Sequence, residues 1–137
     1  MAEKQSQPRK PTEVLHKVES RKRLLEVAHD LEAACQKYQF AIYDLKEEME
    51  QKGLKFSLQC LVYEVCGPHQ SRKISEADGK ISAALSCRVS VYREGSRVTL
   101  AAIRPTAAVE MFHAPQLRSM AEEVEAVMLK IMDEAAA

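Results

Sequence analysis

Four cysteines, Cys35, Cys60, Cys66 and Cys87, are the side chains of this chain best suited to chemistry. Cys60 and Cys66 lie six residues apart on one strand-like run and so share a face. At a rise of about 3.3 Å per residue they stand roughly 20 Å apart, too far to ligate one metal ion. There is no C-x-x-C pair, so neither a zinc ribbon nor a thioredoxin-type motif is present. Cys66 ends one predicted strand and Cys87 begins another. If those strands are antiparallel neighbours the two thiols approach each other; if parallel, they sit at opposite ends of the sheet. The functional reading is a two-thiol site for a metal, a haem iron or a persulfide. The bland reading treats a free cysteine as a small core hydrophobe. Cys87, in phase with Val89 and Val91, fits the bland reading. Cys66, beside the Gly67-Pro68 turn, fits the functional one, because loops at strand ends carry function. Cys35 lies on a helical stripe and reads as core.

Other side chains gather around these thiols. Glu64 interrupts an apolar strand on the face of Cys66, and a carboxylate there is costly unless paired. Arg88 is its natural partner. Glu64, Cys66, Cys87 and Arg88 could line one small pocket, or Glu64 and Arg88 could form an ordinary cross-strand pair on a solvated face. His69 stands three residues after Cys66, a Cys-x-x-His pair on a turn that could contribute two metal ligands. Tyr43 precedes Asp44; the tyrosine could take part in acid–base chemistry or be a core residue with a partnered hydroxyl, and the aspartate suits a helix cap. His16, His29 and His113 have no ligand spacing. Arg21-Lys22-Arg23 reads as the solvated side of a helix. No Walker loop, G-x-G-x-x-G, G-x-S-x-G or H-E-x-x-H occurs.

The elements that must hold these groups follow from periodicity. Val14, His16 and Val18 alternate with Glu13, Leu15 and Lys17, a short strand with a polar edge or else the first turns of a long helix. Leu24, Val27, Ala28, Leu31, Ala34, Cys35 and Tyr38 fall at helical spacing over about 21–37, with Ser20 as a cap. Phe40 to Tyr43 is a buried strand, Asp44 caps a second helix, and Gly53 stops it. Phe56 to Cys66 is the strongest strand, rich in β-branched and aromatic residues. Residues 69–82 suggest a short helix. Ala84–Tyr92 and Arg97–Ile103 form a hairpin around Arg93-Glu94-Gly95-Ser96. Pro105 opens a helix whose inner side is Val109 and Phe112. The last helix starts near Pro115, with Leu117, Met120, Ala121, Val124, Val127, Met128 and Ile131 as its apolar stripe. The order β-α-β-α-β-(α)-β-β-α-α predicts an α+β fold: a single mixed or antiparallel sheet of about five strands with helices packed on it.

The chain has 137 residues, of which 46% are hydrophobic, enough for one packed core. Residues 1–11 are polar with two prolines and read as a disordered tail, leaving 12–137 as one domain. Twenty basic and twenty acidic side chains cancel, so the broad positive field needed for non-specific nucleic-acid binding is lacking. Aromatic residues are 5% and tryptophan is absent, which disfavours a base-stacking platform. No apolar run approaches the roughly 20 residues that span a bilayer. The N-terminal segment has no hydrophobic stretch of a secretory signal. The expectation is a cytoplasmic protein with reduced cysteines and with neither nucleic acid nor membrane as partner.

Three stretches resemble the domain-of-unknown-function family 302: Tyr43-Asp44-Leu45 with Lys52-Gly53, Cys60 to Pro68, and Leu85 to Tyr92. Ala121-Glu122-Glu123-Val124-Glu125 is similar to that family as well. The chain departs from the family pattern at Gly67, Ser86 and Tyr43, where the family has Asn, Pro and, in its closest branch, His. The resemblance implies the fold and brings no agreed activity. Three functional readings therefore stand. The first is a non-enzymatic binding module holding a small ligand, a metal or sulfur at a cysteine-containing pocket. The second is a thiol-dependent enzyme with Cys66 as nucleophile, activated by Arg88 or His69. The third is an interaction protein, a homodimer through Met128, Leu129 or Met132 left exposed on the last helix.

Overall fold

The computed structural model describes residues 13–54, 59–67 and 87–137. The expectations for the tail at 1–11, the strand start at 56–58, the helix at 69–82, the hairpin start at 84–86 and His69 lie outside the described residues. Described elements, in chain order, are β1 (Leu15–Ser20), α1 (Leu24–Lys37), β2 (Ala41–Asp44), α2 (Leu45–Gln51), β3 (Cys60–Cys66), β4 (Cys87–Glu94), β5 (Arg97–Ile103), α3 (Pro105–Met111), a 3₁₀ turn (Pro115–Leu117) and α4 (Arg118–Ala136).

The five strands form one sheet in the order β1-β5-β4-β3-β2, every neighbour antiparallel. Side chains alternate across a strand, so the register sorts them into two faces. Leu61, Tyr63 and Val65 of β3 share the inner face with Cys87, Val89 and Val91 of β4 and with Val98, Leu100 and Ala102 of β5, and all nine are buried. The apolar stripes of α1 and α4 close over that face: Val27, Leu31 and Cys35 from one, Met128, Ile131 and Met132 from the other. Burying each of these large side chains contributes roughly 1.5–3 kcal/mol relative to exposure.

Local chemistry explains the boundaries. The Asp44 carboxylate accepts the Glu47 N–H at 3.1 Å and caps α2 as its sequence suggests. Gly53, at φ 89°, ends that helix. Gly95, at φ 63°, makes the hairpin turn with Ser96 alone, since Arg93 and Glu94 still pair with Val98 and Arg97. The first stretch is a strand rather than a helix, paired along its length with β5.

Three local expectations are corrected. Ser20 does not cap α1, which begins after Arg23. Ser20 is the last residue of β1, and its hydroxyl donates to the Ala136 carbonyl at 2.7 Å, closing the end of α4 instead. Phe112 is not on an inner face: α3 stops at Met111, and Phe112 stands 53% exposed at its C-cap. Met128 and Met132 are fully buried against the sheet, and Leu129 is half-buried, so the two methionines leave no side chain free for a dimer contact.

Candidate functional site

Antiparallel pairing of β3 with β4 decides where the thiols stand. Val65 faces Cys87 and Glu64 faces Arg88. Cys66 and Cys87 are therefore at the same end of the sheet, but on opposite faces. Cys87 belongs to the inner face with Val65 and Val89 and is 8% exposed. Cys66 belongs to the outer face, half-buried, opposite Ala41. The four residues that could have lined one pocket are thus divided, three outside and Cys87 inside.

The same register builds a row on the outer face. Tyr43 of β2 pairs with Glu64 of β3, and Glu64 pairs with Arg88 of β4. Residues directly opposite on antiparallel strands have their Cβ atoms about 4.5–5.5 Å apart, so a phenol, a carboxylate and a guanidinium lie side by side. Cys66 is the next outward position along β3 and flanks the row. Tyr43 is 57% exposed, Arg88 is exposed and Glu64 is half-buried. Among the described residues no ion pair joins Glu64 to Arg88, although their backbones are in register. Tyr43, Glu64, Cys66 and Arg88 come together; Cys87 stands behind them across the sheet.

None of the four cysteines forms a disulfide. Burial, and secondarily the Glu64 carboxylate, push the Cys66 thiol above its ordinary range. Burial, then Cys66 and Glu125, push Cys87 up to about 12, and burial with Glu32 pushes Cys35 up to about 11. A raised thiol is a poor nucleophile at neutral pH, because the thiolate is the reacting form. The arrangement does the reverse of what an activated cysteine needs: Glu64 raises the Cys66 thiol, where a dominant cation would lower it.

Behind the thiols, three residues form a cluster that the sequence did not reveal. The Glu125 carboxylate of α4 accepts both the Thr106 hydroxyl at 2.7 Å and the Thr106 N–H at 3.2 Å, and it stands 3.6 Å from the Arg104 guanidinium. It thereby satisfies a free amide in the first turn of α3 and ties that helix to α4 and the end of β5. Glu125 reads from sequence as one of several glutamates on the polar side of α4. Only the tertiary placement of Pro105-Thr106 makes it special, so no spacing signal could have found it.

Among the described residues, no group of three or more His, Cys, Asp or Glu side chains is placed to hold a metal ion. No helix there is long and apolar enough to cross a membrane.

Similarity to known proteins accords with this architecture. The family model for the domain of unknown function DUF302 matches residues 16–135. The chain belongs to the DUF302 family. Its structure is similar to the crystal structure of an uncharacterized conserved DUF302 protein from Bacillus stearothermophilus, with 23% sequence identity and a TM-score of 0.74 over 89% of this chain and 98% of that one. At that identity the likeness shows the shared fold. No curated protein matches the chain.

Proposed function

We propose that this DUF302 protein is a non-enzymatic binding module whose ligand site is the outer face of β2, β3 and β4, with Tyr43, Glu64, Arg88 and Cys66 as its contacts. The observation that carries the reading is the cross-strand row, in which a cation, a carboxylate and a phenol are adjacent without an ion pair between Glu64 and Arg88. Such a row supplies donors and acceptors to a small polar molecule: Arg88 offers its fork of donors, Glu64 accepts, and Tyr43 does either. Cys66 contributes as a neutral thiol. Cys87 supports the site from behind as a core residue. The raised thiols favour binding over the thiol-enzyme alternative. Four cysteines without a disulfide fit a reducing, cytoplasmic setting.

The test is thermal stabilisation of the purified full chain by panels of small carboxylates, phosphates and amines, run beside Arg88→Ala and Glu64→Gln. The reading expects one class to raise the Tm of the parent protein and of neither variant. A ligand that stabilises the parent and both variants equally would place the site elsewhere.

A further inference from the structure

A second surface stands apart from that row, where the start of α1 meets the β4–β5 hairpin. Arg23, Leu24, Leu25, Glu26 and Arg93 line an open cleft there of about 620 Å³. Arg93 lies on the β4 face that α1 covers, in phase with Val89 and Val91 but beyond the end of the core, so it reaches the cleft from the opposite wall. Leu25 is 73% exposed, the most exposed of the large hydrophobic side chains described.

Charge marks this surface, although among the described residues Arg88 on the outer face also lacks an ion pair. Nearby basic groups have carboxylate partners: Lys22 pairs with Asp30, and Arg97 pairs with Glu19 at 3.3 Å. The same holds further away for Arg104 with Glu125 and Arg118 with Glu110. Among the described residues, Arg21, Arg23 and Arg93 have no such partner. In a chain of zero net charge, the two guanidinium groups of the lining, Arg23 and Arg93, against one described acid leave a local positive excess beside an exposed leucine. Glu26, the one acid among the described residues of the lining, is turned back to the helix start, where its carboxylate accepts from the Arg23 N–H at 3.5 Å.

We infer that this cleft docks an acidic peptide segment of a partner protein, with carboxylates on Arg23 and Arg93 and an apolar side chain against Leu25. Charge complementarity selects the acidic partner, and the exposed leucine selects one with an apolar anchor. A nucleic acid fits less well, because among the described residues the lining offers no aromatic ring for a base to stack on. An anionic membrane fits less well too, because the two arginines of the described lining fall short of the cluster of about four to eight basic residues that holds a protein on anionic lipid.

The experiment uses the ¹⁵N-labelled full chain titrated with the peptide Asp-Glu-Glu-Leu-Phe-Glu-Asp, and with the same peptide carrying Lys for every acid. The acidic peptide should shift amide resonances of residues 21–26 and 93–97, and the basic one should not. Raising sodium chloride from about 50 to 300 mM should weaken binding several-fold. The double variant Arg23→Glu/Arg93→Glu should weaken it at least about tenfold, and Leu25→Ser, at an exposed position, should weaken it with the spectrum otherwise intact. Shifts that fall elsewhere, that survive charge reversal, or that are absent at millimolar peptide overturn the inference. So does tight sedimentation with phosphatidylserine vesicles, or binding to single-stranded RNA, in the absence of peptide binding.

Discussion

Removing the Glu125 carboxylate should loosen the junction of α3, α4 and β5 while leaving the sheet intact. Its side chain is 13% exposed and accepts two hydrogen bonds from Thr106, itself 6% exposed. Hydrogen bonds to charged groups contribute about 1.5–3 kcal/mol each, and a buried donor left without a partner costs about 1–3 kcal/mol. Arg104 is 25% exposed, so water screens part of its loss. Glu125→Ala should therefore destabilise by about 3 kcal/mol. Glu125→Gln keeps an acceptor for Thr106 and loses the charge facing Arg104, and should cost about 1 kcal/mol. For a domain of this size about 1 kcal/mol shifts Tm by roughly 4 °C, so the two variants should fall by roughly 12 and 4 °C. Urea denaturation and calorimetry read both, and Thr106→Val combined with Glu125→Ala should be markedly less than additive. If Glu125→Ala lies within about 0.5 kcal/mol of the parent, or if the glutamine is as damaging as the alanine, the clamp is not what holds α3.

Other consequences follow from the same geometry. With iodoacetamide at neutral pH, Cys66 should react more slowly than a cysteine in an unstructured peptide, and Cys35 and Cys87 only on unfolding; mass mapping of alkylated sites reads this, and a fast Cys66 would restore the enzyme reading. The folded thiols of Cys35 and Cys87 titrate above the ordinary 9.0, at about 11 and about 12, so their contribution to stability is complete below pH 9 and is lost as pH rises from there towards those values. At pH 10 each should cost about 1.4 kcal/mol, and Cys87→Ala should flatten the decline; a denaturation midpoint constant from pH 8 to 10.5 would contradict it. Met128→Ala should cost about 2–5 kcal/mol through the cavity it leaves and should not change the mass seen by light scattering, whereas an altered oligomeric state with unaltered stability would return the residue to an interface.

The fold was legible where periodicity was strong. The stripes of α1 and α4, the β-branched run of β3 and the Gly95 turn each point to one structure, and the helix and strand periods separate them cleanly. Boundaries were less legible because a local signal can be claimed by a tertiary partner. Ser20 has the chemistry of a cap and spends its hydroxyl on the end of α4. Phe112 has the spacing of an inner residue and falls one position past the end of its helix. The site was half legible. Tyr43, Glu64, Cys66 and Arg88 can each be singled out by type, but only strand register aligns three of them and turns Cys87 to the other face. A one-residue change of register would have exchanged those faces, and nothing in the sequence states the register. Glu125 was illegible because its partners come from a helix start nineteen residues away, joined only by the packing of α3 on α4.

The most direct test of the outer-face site is native mass spectrometry of the full chain purified under anaerobic conditions, beside the Glu64→Gln/Arg88→Ala double variant and Cys87→Ala. A bound small molecule is expected on the parent protein and on Cys87→Ala, with its loss from the double variant while circular dichroism stays unchanged. Retention of the adduct by the double variant, or its loss from Cys87→Ala alone, would contradict it.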